Sequence, residues 1–257
     1  MLAHVMPFWQ WHTPFAWTGY ILAVDGYIYS KRGSSWLTAN RREFLFLALV
    51  SIPLWLVFEA YNLLIHNWYY INLPANRTLR YFGYAWAFAT IWPGIFETAE
   101  LVAVVRNHGG YRERTEAPKN ISSFLCALCG FAFLAWPFFW PSPYLSIPVW
   151  LGFILLLDPI NERLGVDSLM GDWRAGRFDR LINLSLAGLM CGVLWEFWNY
   201  WSLGKWIYTV PYLPEVKIFE MPLLGYGGFP AFALECFTMY LFVRRIFWRG
   251  ATRPVGL

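Results

Sequence analysis

Two stretches of this chain carry the same polar residues in an apolar setting. VFEAYNLLIHNWYYINLP begins at Val57, and LWEFWNYWSLGKWIYTVPYLP begins at Leu194. Each supplies a Glu (Glu59, Glu196), an Asn three residues on (Asn62, Asn199), and then a Trp-x-Tyr (Trp68 with Tyr70, Trp206 with Tyr208). Further along, each is followed by a Pro and a second acid: Pro93 with Glu97, and Pro230 with Glu235. A Glu and an Asn at i and i+3 share one helix face. Carboxyl groups, carboxamides and rings suffice for proton transfer. A neutral acid donates, an ionised one accepts, and aromatic faces stabilise a transient cation. The same set also suits transport of a proton, a cation or a polar solute. The plainest alternative is structural, with the acids hydrogen-bonded to neighbouring helices and Asn as partner. Against it stands the cost of a charged group at mid-membrane, ~2.5–3.5 kcal/mol or more, incurred here twice over.

The elements that must position these residues follow from composition. The 257 residues are 58% hydrophobic and only 14% charged, where soluble domains carry about a quarter. Aromatics make up 21%, including 17 Trp. Apolar stretches at about 12–30, 43–66, 84–106, 120–140, 145–160, 180–203 and 226–247 are each near the length of a membrane span. The expectation is an all-α polytopic membrane protein with seven transmembrane helices in a single transmembrane domain, 1–257. No cleavable signal peptide is expected, because MLAHVMPFWQWHTP lacks a basic start.

Basic residues sort by loop. Lys31, Arg32, Arg41, Arg42; Arg106, Arg112, Arg114, Lys119; Arg163, Arg174, Arg177, Arg180; and Arg244, Arg245, Arg249, Arg253 follow the odd-numbered spans. The other side holds only Arg77, Arg80, Lys205 and Lys217. The positive-inside rule then places the N-terminus outside and the C-terminus in the cytoplasm; the expected location is a bacterial inner membrane. The repeated residues are separated by the same length of chain to within one residue. Upstream, Trp17-x-Gly19…Asp25 matches Trp150-x-Gly152…Asp158. The expected units are a three-helix repeat over 12–106, a linker helix over 120–140 and a second repeat over 145–247. An odd linker keeps the repeats parallel (3+1+3), with a site at their interface where the four acids converge.

The remaining candidates are secondary. Glu220, in the outer loop KIFEMPLLGYGGFP, can reach back toward the site, and Glu100 has no counterpart in the second half. Asp25 and Asp158 read as caps or interfacial ion-pair partners. The stretch DPINERLGVDSLMGDWRAGRFDR reads as a membrane-surface segment, and Trp9, Trp11 and Trp17 as an interfacial belt. Cys126, Cys129, Cys191 and Cys236 fall in apolar segments and read as packing residues. The four His are scattered, and no dinucleotide or phosphate-loop fingerprint occurs. No metal, no cofactor and no nucleic-acid partner is expected. That leaves redox-neutral chemistry, transport, or a scaffold without ligand.

These positions resemble the membrane-integral lycopene cyclases of the heterodimeric bacterial and fused archaeal or fungal type. Those proteins repeat a three-helix unit bearing an Asn-Tyr element, a Trp-x-Tyr element and a Pro-x-Glu-Glu-x-Phe-Phe element. Here the second half has Asn199-Tyr200, Trp206-Ile207-Tyr208 and Pro230…Glu235-Cys236-Phe237; the first has Asn62, Trp68-Tyr69-Tyr70 and Pro93-Gly94-Ile95-Phe96-Glu97. Each half has one Glu where the family pairs two. The resemblance implies proton-initiated cyclisation or isomerisation of a carotenoid-like polyene or other isoprenoid lipid. Glu59, Glu97, Glu196 and Glu235 would act as acids and bases. Asn62, Asn199, Trp68, Tyr70, Trp206, Tyr208 and Glu220 would meet the substrate. The alternative is a small transporter or binding protein for a proton-coupled or polar solute.

Overall fold

Apolar runs punctuated by Gly, Asn and Pro set the elements. The computed structural model describes residues 4–106 and 121–248, so Arg112, Arg114, Lys119, Arg249 and Arg253 of the basic loops lie outside the described residues. Helix α1 (His12–Arg32) stops at Gly33, whose φ of 71° is left-handed backbone that glycine adopts without strain. A short helix, α2 (Trp36–Ala39), turns the chain into α3 (Arg41–Ile65). Strand β1 (Trp68–Ile71) follows, then α4 (Arg77–Ala89) and α5 (Ile91–Val105), broken at Thr90. Pro93, in the first turn of α5, has no N–H to carry the helix ladder across that break. Ser51 of α3 repairs it: its hydroxyl donates to Phe88 O and accepts from the Trp92 N–H at 3.2 Å. Freed backbone groups thus find a partner where water is scarce.

The chain then runs through α6 (Ile121–Phe139), α7 (Ser146–Arg163), α8 (Leu169–Arg174) and α9 (Asp179–Trp201). Strand β2 (Lys205–Tyr208) and a small hairpin, β3 (Lys217–Ile218) with β4 (Met221–Pro222), lead to a 3-10 turn at Leu223–Gly227 and to α10 (Gly228–Phe247). Pro230 sits in the first turn of α10 much as Pro93 sits in α5.

Among the described residues, five helical stretches are long and apolar enough to cross a membrane: Arg41–Ile65, Arg77–Val105, Pro143–Arg163, Asp179–Trp201 and Leu223–Phe247. α6 supplies a shorter apolar helix; α1 has 21 residues but carries Asp25, Lys31 and Arg32. The chain is a mainly helical membrane protein. Each stretch expected to span contains a helix, the third as a broken pair. The purely helical expectation needs one amendment, because segments expected to be loops form the pairs β1–β2 and β3–β4.

The order long helix, short helix, long helix, strand occurs twice, with α6 between the copies; the first copy ends in the broken pair α4–α5 and the second in the β3–β4 hairpin, a 3-10 turn and the single helix α10. Asp25 accepts from Ser35 Oγ at 2.8 Å and from the Leu37 N–H at 3.0 Å; Asp158 accepts from the Leu169 and Met170 N–H groups at 2.7 and 2.8 Å. Each repeated Asp therefore caps the short helix after it, where a negative charge meets the positive helix end. Around α8, Arg174 pairs with Glu162, while Arg177 and Arg180 pair with Asp172. The charges of that segment are mostly spent on one another.

Packing crosses between the copies. Trp17 of α1 lies against Trp195 of α9 at 5.0 Å between ring centroids, and Trp150 of α7 stacks on Phe58 of α3 at 5.2 Å. Trp17 is only 1% exposed, so it belongs to the core and not to an interfacial belt.

The copies differ at a glycine. Gly152 of α7 lies against Leu134 of α6, and a Cβ on Gly130 would come within 2.4 Å of Leu156 N and 2.7 Å of Gly152 O. Gly19 on α1, the counterpart of Gly152, has nothing within 4 Å among the described residues. Gly130→Ala forces two backbones apart and is expected to cost about 1–3 kcal/mol. Gly19→Ala is expected to be neutral or slightly stabilising. Thermal unfolding of the two variants in detergent checks the contrast.

Candidate functional site

The site is built around the two Trp-x-Tyr segments. Side chains alternate along a strand, so Trp68 and Tyr70 share one face, as do Trp206 and Tyr208. β1 and β2 pair antiparallel, Trp68 opposite Tyr208 and Tyr70 opposite Trp206. Exchanging each residue for its repeat counterpart returns the same pairs, so the register carries a local two-fold axis. All four rings line one cavity of ≈ 320 Å³ beneath the strand pair. Its walls include Trp17, Trp55, Trp150, Trp195, Phe229 and Phe232, drawn from both copies.

Two carboxamides fix the strands. Asn62 Nδ2 donates to Trp68 O at 2.8 Å, and its Oδ1 accepts from the N–H groups of Asn67 (2.8 Å) and Trp68 (3.2 Å). Asn199 treats Trp206 the same way, donating to its O at 2.8 Å and accepting from its N–H at 3.0 Å. Their hydrogen bonds go to backbone and not to the acids one turn earlier. Expected at the substrate, Asn62 and Asn199 instead lie outside the cavity lining and position the residues that form it.

The first pair of acids stands directly behind the rings. Glu59 Oε1 accepts from Tyr70 Oη at 2.5 Å, Trp55 Nε1 at 2.8 Å and Trp68 Nε1 at 3.3 Å. Glu196, fully buried, has Tyr208 and Trp206 beside it, but neither carboxyl oxygen attains hydrogen-bond geometry. The difference has a local cause. Gly192 stands on α9 where Trp55 stands on α3, and the Phe229 ring fills the space against it. Glu59 thus sits under three converging donors, and Glu196 under none.

The second pair does not join the first. Glu97 is 1% exposed, and neither of its oxygens attains hydrogen-bond geometry with a described residue; it lies against Asp25, in the interface of α5 with α1. Glu235 is fully buried, and neither of its oxygens attains that geometry either; it lies near Tyr61 of α3. The expected convergence of four acids is therefore replaced by two acids behind the strand pair and two in separate helix interfaces. None of the four lines the cavity. Glu220 pairs with Lys205 Nζ at 2.5 Å and approaches the cavity only through that lysine. Glu100, treated as secondary, accepts from Trp36 Nε1 at 2.7 Å and pairs with Arg32 at 3.1 Å.

Several lining residues escaped sequence reasoning. Trp17 and Trp150 were visible as a repeated pair, a signal that could have found them, but Trp17 was read as part of a belt and Trp150 only as a mark of the repeat. Trp55, Trp195 and Phe232 have no such signal in an aromatic-rich chain. Arg80 was read only as a loop charge, yet it lines the cavity.

The two strand tyrosines lie between the apolar spans. Burial, and then the neighbouring Glu59 or Glu196, push both hydroxyls well above their ordinary value near 10. The unfolded chain therefore releases these protons first. Their contribution to stability is complete below about pH 10 and falls as pH rises beyond it. An alkaline titration of tyrosinate absorbance should show two tyrosines fewer in Tyr70→Phe/Tyr208→Phe only after the fold is lost.

No family model, no curated protein and no solved structure matches this chain.

Proposed function

We propose that the chain is a membrane enzyme that rearranges an isoprenoid or polyene by proton transfer, without net redox change, in the cavity beneath the strand pair. The observation that carries this reading is the duplicated Tyr–Glu arrangement at an apolar cavity: Tyr70 and Tyr208 line a space walled by rings, with the half-buried Glu59 beside one hydroxyl and the buried Glu196 beside the other. Glu196 supplies a proton through Tyr208 to an alkene carbon. The resulting cation lies among Trp and Phe faces, which stabilise positive charge. Attack by a second alkene closes a ring, or a bond rotates. Loss of a proton from the neighbouring carbon toward Tyr70 and Glu59 restores an alkene. One proton enters and one leaves, so product and substrate share a formula.

The volume limits the substrate. A space of ≈ 320 Å³ is at the small end of ordinary ligand pockets, roughly 300–1,000 Å³. It holds a short isoprenoid or one end of a longer polyene. A carrier for a polar solute needs a cavity lined chiefly by hydrogen-bonding groups, and this one is walled chiefly by rings. In this reading the helices form two parallel three-span units joined by α6 as an inverting linker, with the strand pair outside and the basic loops in the cytoplasm.

Lipid extracts from cells with and without the protein test the proposal. An isoprenoid isomer of unchanged mass should appear with the protein and be absent with Tyr208→Phe. Identical extracts from all three would remove the reading.

A further inference from the structure

The cavity is charged at one end only. The strand register sets Lys205 opposite Ile71, and the chain continues from there through Asn72 to Pro74. Gln10 Nε2 donates to Asn72 O at 3.0 Å, and Arg80 Nε donates to Pro74 O at 2.9 Å. Gln10, Arg80 and Lys205 all line the cavity, so these contacts gather them at the same end. Glu220 neutralises Lys205. Arg80 has no acid partner among the described residues, and its two terminal nitrogens remain after the bond to Pro74. At the opposite end the second copy supplies Ser146, Val210 and Tyr212, which carry no charge.

No Asp or Glu is in the lining. An apolar space that offers a guanidinium with no acid partner among the described residues, and an amide donor beside it, is complemented by an oxyanion.

We infer that the ligand is an amphiphile with an oxyanion head, a phosphate or a carboxylate, held by Arg80 with Gln10 and Lys205 beside it. The short isoprenoid tail lies along the rings under Tyr70 and Tyr208. A guanidinium fork matches the geometry of either head, and the ring walls exclude a free inorganic anion as the natural occupant. This deepens the proposed function by naming the substrate class; only the tail's place rests on that reading, since the head's place follows from charge whether or not a proton moves.

The test is binding, not turnover. Geranyl phosphate, geranic acid and geraniol share one tail and differ in the head. Each is titrated into the full chain in neutral detergent, followed by tryptophan fluorescence. Both anions should bind about ten- to hundredfold more tightly than the alcohol. The gap should shrink as salt rises. The tighter of the two anions identifies the head. Arg80→Gln should close the gap while leaving geraniol affinity unchanged, and Arg80→Lys should keep part of it. Geraniol binding as tightly as both anions in the unmodified protein overturns the inference, and so does a gap that survives Arg80→Gln. Tyr208→Phe should leave the gap intact. An intact gap with no turnover on any isoprenoid would remove the proton chemistry alone, and turnover without a gap would remove the head site alone.

Discussion

Tyr208→Phe is expected to lower turnover by about 10²–10⁴-fold while leaving ligand affinity and thermal unfolding almost unchanged. The substitution removes one oxygen from a ring that stays in place, because Asn199 holds the strand through the backbone of Trp206. Glu196→Gln is expected to cause a loss of similar size. The two together should cost little more than either alone, since groups that act as a unit are not additive. Glu97→Gln and Glu235→Gln serve as the contrast. Both acids are buried, but they lie off the cavity in separate interfaces. They are expected to retain turnover to within about tenfold. Rates measured on the four single variants and the one double variant separate a relay behind the strand pair from a site at mid-helix depth.

The second large effect concerns stability. Asn199→Ala leaves both the N–H and the O of Trp206 without the partner they have in the native fold. At ~1–3 kcal/mol for each buried unsatisfied group, the loss is about 2–6 kcal/mol. Asn62→Ala does the same to Trp68, and to the Asn67 N–H as well. The Asp variants are informative because a carboxylate accepts from the strand N–H but cannot donate to the strand O. Asn199→Asp should fall between the native protein and Asn199→Ala. Thermal unfolding in detergent gives the order. If these residues instead oriented the acids, the Ala variants would unfold normally and lose only turnover.

Much of this was legible in the sequence, and the failures have physical causes. The long helices follow from apolar length, because in lipid a spanning chain must satisfy its own backbone. The duplication was visible in Glu59/Glu196, Asn62/Asn199 and Trp17/Trp150. Which way each side chain turns was not. Asn three residues after Glu shares its face, and the pattern suggested that the amide serves the acid. In the fold the amide meets a strand that spacing alone did not reveal. Trp-Tyr-Tyr-Ile and Lys-Trp-Ile-Tyr do have the aromatic and β-branched alternation of strands, but four residues are too few to separate a strand from a loop without knowing the partner. The acids at Glu97 and Glu235 follow Pro at nearly equal spacing, which marked them as a pair. Their faces turn to neighbours contributed by other helices, and no local pattern encodes that. The cavity itself depends on Gly192 and Phe229 exchanging volume with Trp55, a long-range substitution invisible in either stretch alone.

Incubating membranes that contain the protein with an isoprenoid in heavy water tests the central claim most directly. If a proton from Glu196 and Tyr208 starts the rearrangement, the product gains one solvent deuterium at the carbon attacked, and the label disappears with Tyr208→Phe. A rearranged product free of deuterium, or labelled equally well by the Phe variant, would contradict it.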